Sequence, residues 1–119
     1  LRASISKPVE LAPLDRYGMP TGIAVELPMG YEGQVRPRSG MALKRGLTVV
    51  NSPGTVDSDY RGELVVPLVN LSRDTIIIEP GDRIAQLVVA PVAHAMLVAV
   101  DRLTDTDRGA GGFGHTGRK

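Results

Sequence analysis

Apolar and polar residues alternate along this chain in short runs instead of recurring every three or four positions, so the pattern predicts strands. Residues 23–27 alternate, and 33–35 do so more weakly. Further apolar runs follow at 47–50, 63–71, 75–78, 83–92 and 96–103. Pro28-Met29-Gly30, Pro53-Gly54 and Pro80-Gly81 mark turns between them, because proline presets φ and glycine tolerates its positive values. Several short strands at this spacing point to an all-β sandwich or barrel and not to βαβ units. One segment reads as a helix: Ser39 would cap it, Met41-Ala42-Leu43-Lys44 would form its turn and a half, and Gly46 would end it.

Leu64-Val65-Val66-Pro67-Leu68-Val69 departs from the alternation, being apolar on both faces. A half-buried strand carries a polar face. In so small a domain, a second apolar face is most simply covered by another subunit. Pro67 points the same way, since proline cannot donate to a central ladder and prefers an edge or irregular position. The alternative is a strand sandwiched within one chain. On the oligomeric reading, a charge at Val66 or Leu68 is expected to disrupt the interface.

Length and composition narrow the class. The 119 residues make one domain, with a Gly-rich tail and no repeat or linker. The core must be filled with Val, Leu, Ile and Ala, because the aromatics are only Tyr17, Tyr31, Tyr60 and Phe113. A net charge of +1 gives no electrostatic trap for nucleic acid, so anions must be held by local arginines. The lack of cysteine excludes thiolate metal sites and fits a reducing, cytoplasmic compartment. No apolar run approaches the ~18 residues of a membrane span, and no membrane partner is expected.

Chemistry concentrates between Asn51 and Glu63. Pro53-Gly54, followed by Asp57, Asp59 and Tyr60, suggests a hairpin whose tip carries two carboxylates and one aromatic ring. A carboxylate on a rigid hairpin can act as a general base, and the ring can stack on a planar ligand. The plainer reading is a solvated polar turn. At Arg38-Ser39-Gly40 a guanidinium, a hydroxyl and the first N–H groups of a helix can converge on one phosphate, or form an ordinary helix start. Gln86 sits in an apolar run and needs a partner, either a backbone group or a ligand oxygen. Arg83 reads as structural, paired with Asp82 or another acid, on the face opposite Ile84 and Gln86. The tail from Arg108 to Gly117 has five glycines in ten positions. Its Arg108 and Phe113 suggest an arm that orders over a ligand rather than a spent terminus. His115 is not expected to bind metal, since His94 is the only other histidine.

Together these segments resemble the trimeric dUTPase family over nearly the whole chain. Pro37-Arg38-Ser39-Gly40-Met41-Ala42 is similar to the family's second motif, and the run from Gly54 through Asp57-Ser58-Asp59-Tyr60-Arg61-Gly62-Glu63 to its third. Gly81-Asp82-Arg83-Ile84-Ala85-Gln86 resembles the fourth, and Arg108-Gly109-Ala110-Gly111-Gly112-Phe113-Gly114 the fifth. The first motif is matched only by its end, Leu1-Arg2-Ala3, so its acidic residue would lie upstream of Leu1.

The resemblance implies a jelly-roll-like all-β barrel (a β-clip) with one short helix, assembled as a homotrimer with shared active sites. Residues 1–107 would form the β domain and 108–119 a flexible arm. It implies Mg²⁺-dependent hydrolysis of dUTP to dUMP and pyrophosphate, with the metal held by substrate phosphates and water rather than by direct protein ligands. Asp57 would activate the attacking water. Tyr60 would pack on the deoxyribose. Asn51, Gly54, Thr55, Val56 and Val65 would read uracil, and Arg38, Ser39, Gly40 and Gln86 would hold phosphates. Arg108 and Phe113, from another subunit's tail, would cover the γ-phosphate and the uracil face. Two rivals compete with this reading. In a dCTP deaminase the catalytic glutamate would fall at Pro67, which cannot serve. A catalytically silent trimer has no reason to carry Asp57, Tyr60, Arg108 and Phe113.

Overall fold

Short, β-branched runs pair into three small antiparallel sheets. In the computed structural model, which describes residues 1–112, β1 (Val9–Leu11) pairs with β7 (Ile76–Ile78). A second sheet has the order β2 (Arg16–Pro20), β6 (Val65–Asn70), β4 (Leu47–Val49). A third runs β5 (Gly54–Val56), β3 (Tyr31–Arg36), β8 (Gln86–Pro91). The inward side chains of the sheets, among them Leu11, Met19, Leu47, Val66, Leu68 and Ile78, close into one core.

The expected helix forms as α1 (Ser39–Arg45) and ends at Gly46, whose φ is 70°. A Cβ there would meet the backbone nitrogen of Ser72 at 2.7 Å, so glycine is required twice over. Lys44 and Arg45 in the last turn complement the partial negative charge of the helix C-terminus. The cap differs from expectation. Arg38 takes the N-cap position without a side-chain bond, and Ser39 is the first helical residue.

β6 is the middle strand of its sheet, and its two apolar faces meet different surroundings. Val66, Leu68 and Asn70 are fully buried, whereas Val65, Pro67 and Val69 turn outward, with Val65 49% exposed. Val66 and Leu68 are therefore core residues, not interface residues as the sequence suggested. Pro67 stands in a central strand rather than at an edge. The register Val49↔Leu68 places Val50 opposite Pro67. The Val50 N–H donates to the Pro67 carbonyl at 2.8 Å, and proline has no hydrogen to return. The β4–β6 ladder stops here, and the chain leaves the sheet toward Asn51.

Asn70 closes the far end of β6. Its side-chain amide donates to the Leu11 carbonyl at 2.9 Å and the Asp74 carbonyl at 2.8 Å. Its side-chain oxygen accepts the Ser72 N–H and hydroxyl, both at 2.8 Å. One buried amide thus ties β1, β6 and the 71–74 turn. At the chain's start, Arg2 bridges Arg83, Ala3 N–H donates to Asp82 and Ile84 N–H donates to Leu1, stitching residues 1–3 to 82–84.

Two expected strands fail to form. Residues 23–27 are not a strand: they run irregularly, fastened by Leu64 N–H to the Ile23 carbonyl at 2.8 Å, with Leu27 reaching the core. Residues 96–103 form no strand either; among the described residues none follows Pro91. A strand needs a neighbouring ladder, and among the described residues no edge receives this one, so Met96, Leu97 (95% exposed), Val98, Val100 and Leu103 stand in solvent. The radius of gyration, 19.0 Å, exceeds the roughly 13 Å of a compact chain of this length, as an outstretched segment requires. β1 and β2 were not foreseen, since three residues are too few for a pattern and Arg16-Tyr17-Gly18-Met19-Pro20 carries glycine and proline. Among the described residues no helix is long and apolar enough to cross a membrane.

Replacing Asn70 by Ala removes the amide donor to the buried Leu11 carbonyl and the acceptor of the Ser72 N–H, and leaves Asp74 bonded to the Ser72 hydroxyl alone. Unfolding in urea at fixed protein concentration is expected to show a loss of about 2–4 kcal/mol with an unchanged m-value.

Candidate active site

β3 lies between β5 and β8, and the missing side chain at position 33 relieves crowding there. A Cβ on Gly33 would stand 3.1 Å from both Leu87 Cδ1 and Val56 Cβ and 3.3 Å from Leu27 Cδ1. Register then fixes β5, with Gly33↔Val56 and Val35↔Gly54. Gly54 and Val56 point inward while Thr55 points out, and Asp57 follows at the strand's end. The flanking limbs do not pair with each other, contrary to the hairpin expectation. β5 belongs to the β3 sheet, and β6 pairs with β2 and β4.

Between them the chain turns tightly. The Tyr60 N–H donates to the Asp57 carbonyl at 3.1 Å. The Tyr60 hydroxyl donates to the Glu63 carbonyl at 2.9 Å. Glu63 Oε1 in turn accepts the N–H groups of Thr21 at 3.1 Å and Gly22 at 2.7 Å. Asn51 packs over the start of β5, its Nδ2 lying 3.0 Å from where a Gly54 Cβ would be.

These elements enclose a cleft of about 220 Å³, lined by Val35, Asn51, Gly54, Thr55, Val56, Asp57, Tyr60, Glu63, Leu64, Val65 and Pro67. Its apolar walls can hold a flat ring, the Asn51 amide and backbone groups can read that ring's polar edge, and Asp57 offers a carboxylate. Seven of the sequence-derived residues meet here: Asn51, Gly54, Thr55, Val56, Asp57, Tyr60 and Val65. Asp59 is not among the lining residues.

A second group gathers where β3 runs into α1. Arg36 pairs with Gln86 across the β3–β8 ladder, and Gln86 Nε2 donates to the Pro37 carbonyl at 3.1 Å. The Arg38 guanidinium donates to the Arg83 carbonyl at 3.0 Å. Arg38, Ser39, Gly40 and Gln86 are thus neighbours, but none lines the cleft of its own chain. Gln86 is exposed, and it does not share a face with Ile84: β8 begins at Gln86, and the irregular backbone before it buries both Ile84 and Ala85. Arg83 forms no ion pair with Asp82 among the described residues. The Asp82 carboxylate instead accepts the Glu79 N–H at 3.0 Å, closing the turn around Gly81. Arg108 is exposed in a turn, its Nε bonded to the Gly111 carbonyl, away from the lining of the cleft. Phe113 and His115 lie outside the described residues.

Val35, Glu63, Leu64 and Pro67 line the cleft without having been singled out as site residues. The wall residues carry no chemical signal in a sequence. The partners of Glu63 are backbone groups some forty residues earlier, which no local pattern announces.

The chain matches the dUTPase family model over residues 3–117. It is 58% identical over 122 residues to the deoxyuridine 5'-triphosphate nucleotidohydrolase of Chlamydia abortus, an alignment spanning 100% of this chain and 83% of that protein. The fold is similar to that of a mutant dUTPase of Staphylococcus bacteriophage 80alpha with dUpNHpp, at a TM-score of 0.87 and 26% identity, covering 98% of this chain and 85% of the other. A mutant dUTPase from phage phi11 of S. aureus, whose structure concerns the coordination of a structural Mg(II) ion, matches at a TM-score of 0.77 and 25% identity, over 87% of this chain and 84% of that one.

Proposed function

The chain belongs to the dUTPase family, and from that premise we propose how its residues divide the work. It hydrolyses dUTP to dUMP and pyrophosphate. The observation that carries the assignment of roles is the cleft itself, which brings a carboxylate, an aromatic ring and an amide onto one apolar slot.

In this reading uracil enters the slot between β5 and Val65. Its polar edge is read by Asn51 and by backbone groups of Gly54, Thr55, Val56 and Val65. Tyr60 packs on the deoxyribose and leaves no space for a 2′-hydroxyl. Asp57 takes a proton from the water that attacks the phosphate chain, and the bond between the α- and β-phosphates breaks. Arg38, Ser39, Gly40 and Gln86 hold phosphates by charge-assisted and amide hydrogen bonds.

Among the described residues no three His, Cys, Asp or Glu side chains gather. Mg²⁺ would arrive on phosphate oxygens and water, the ligands it prefers. Bound there, the ion supplies neutralising charge on the phosphates.

The separation of the phosphate group from the cleft within one chain supports a trimer whose sites draw on more than one subunit. So do the outward face of β6 and the bare apolar segment 96–103. Residues 1–107 act as the body and 108–119 as the arm, with Arg108 and Phe113 closing over a neighbour's substrate in a cytoplasmic enzyme.

Three outcomes are expected. Asp57→Asn keeps the shape of the cleft and removes the proton acceptor, so pyrophosphate release from dUTP with Mg²⁺ falls roughly 10²–10⁴-fold while dUTP still binds. Sedimentation at micromolar concentration shows a trimer, and Val69→Asp, which places a charge on the outward face of β6, shifts it toward monomer with loss of activity. Deleting residues 108–119 preserves the trimer but lowers kcat by about tenfold or more, equivalent to about 1.4 kcal/mol in the barrier. Turnover of the deletion variant at the full-length rate would sink the arm's role.

A further inference from the structure

Tyr60 forms a wall of the cleft while 46% of its surface is exposed, so something other than burial must keep its ring in place. Two features do. Beneath the ring lies Gly62: a Cβ there would run into it, with Tyr60 Cζ at 2.6 Å and the hydroxyl oxygen closer still. At its tip the hydroxyl donates to the Glu63 carbonyl. That carbonyl is a fixed acceptor only if residue 63 itself is fixed.

Residues 63 and 64 are fastened to 21–23 by four hydrogen bonds. The Thr21 and Gly22 N–H groups converge on Glu63 Oε1, the Thr21 hydroxyl donates to the Leu64 carbonyl at 2.7 Å, and Leu64 N–H donates to the Ile23 carbonyl. The last two flank the buried Leu64 and belong to the core. The Leu64 N–H shares a planar peptide unit with the Glu63 carbonyl and holds one side of it; the first two depend on a single carboxylate oxygen and anchor the other side, through the Glu63 Cα.

We propose that Glu63 is a positioning residue: its carboxylate, clamped on the Thr21–Gly22 backbone, holds the Tyr60 wall rigid and thereby sets how firmly the site excludes ribonucleotides. This rests on the reading above that Tyr60 faces the sugar. Exclusion by sterics works only against a wall that does not yield, because an added hydroxyl is otherwise tolerated with modest loss, on the order of 10²-fold at best in an apolar pocket. Glu63 touches no reacting atom in this scheme. It acts through Tyr60.

The test uses the full chain labelled with 3-fluorotyrosine. It carries three tyrosines, Tyr17, Tyr31 and Tyr60, and Tyr60→Phe assigns the third fluorine resonance. Glu63→Ala removes the clamp. Glu63→Asp keeps the charge but is one methylene too short to meet both N–H groups, and Glu63→Gln keeps the acceptor without the charge. In the Ala and Asp variants the Tyr60 resonance should move toward the free amino acid, and kcat/KM for dUTP relative to UTP should fall about tenfold. The Gln variant should keep both, and thermal melting reports whether each variant folds. If Glu63→Ala does not fold, the Asp and Gln pair carries the test alone. An unmoved Tyr60 resonance in Asp or Ala overturns the clamp, as does a Gln variant that behaves like Ala. A moved resonance with unchanged dUTP-to-UTP selectivity overturns the link to ribonucleotide exclusion. A native chain inert toward dUTP would instead overturn the substrate reading, with the fluorine shift still reporting on the clamp.

Discussion

Pro67 has no amide hydrogen, and the site follows from where that missing donor falls. It lies in the middle strand of a sheet, where the neighbouring strand would otherwise continue its ladder. Val50 gives its hydrogen bond and receives none in return, so β4 ends and the chain swings out through Asn51. The next strand, β5, can then join a different sheet. The cleft opens between the two, with Pro67 itself on its wall. A residue that could have completed the ladder would have invited the chain to stay in the first sheet. The cost to the fold is small, because the orphaned acceptor sits at a sheet margin where water can reach it.

Around that opening the fold combines tight and loose parts. A side chain at Gly62 would run into the ring of Tyr60, and glycine at 33 and 54 relieves crowding beside Val56 and Asn51. The turn that carries Asp57 is tied end to end through Tyr60 and Glu63 to the exit of β2. Beyond the Val92 N–H bond to the Gly30 carbonyl, by contrast, the segment after Pro91 joins no strand among the described residues. Tight bonding is concentrated around the cleft, and the stretch beyond Pro91 is left extended.

Much of this was legible beforehand, and the exceptions share a cause. Long apolar runs such as 63–71 and the turn residues around Gly30, Gly46 and Gly81 announced themselves, because their physics is local. The segment 51–63 declared its chemistry through residue type alone. What could not be read were the pairings. Gly54–Val56 looked like one limb of a hairpin, yet its partner is β3, some twenty residues earlier. Arg83 looked like half of an ion pair, yet the turn's geometry commits Asp82 to Glu79. Residues 96–103 are apolar enough for a strand, but a strand is a relation between two segments, and among the described residues no second one pairs with it. Glu63 stands beside the motif's recognisable members, and its role depends on backbone groups that carry no residue-specific mark.

The stitching of residues 1–3 to 82–84 has a consequence for how the molecule comes into being. Residues 1–3 have no resting place until the turn around Gly81 has been synthesised, and β1 likewise waits for β7. At roughly 5–20 residues per second, that is a delay of several seconds during which Leu1, Ala3 and Leu11 are uncovered. Closure must then draw together segments far apart in the chain, which makes folding slow relative to helical proteins of the same size. The stretch beyond Pro91 leaves the ribosome only after the closing elements are complete. Translation thus orders the events: the paired sheets can shut before the stretch beyond Pro91 exists.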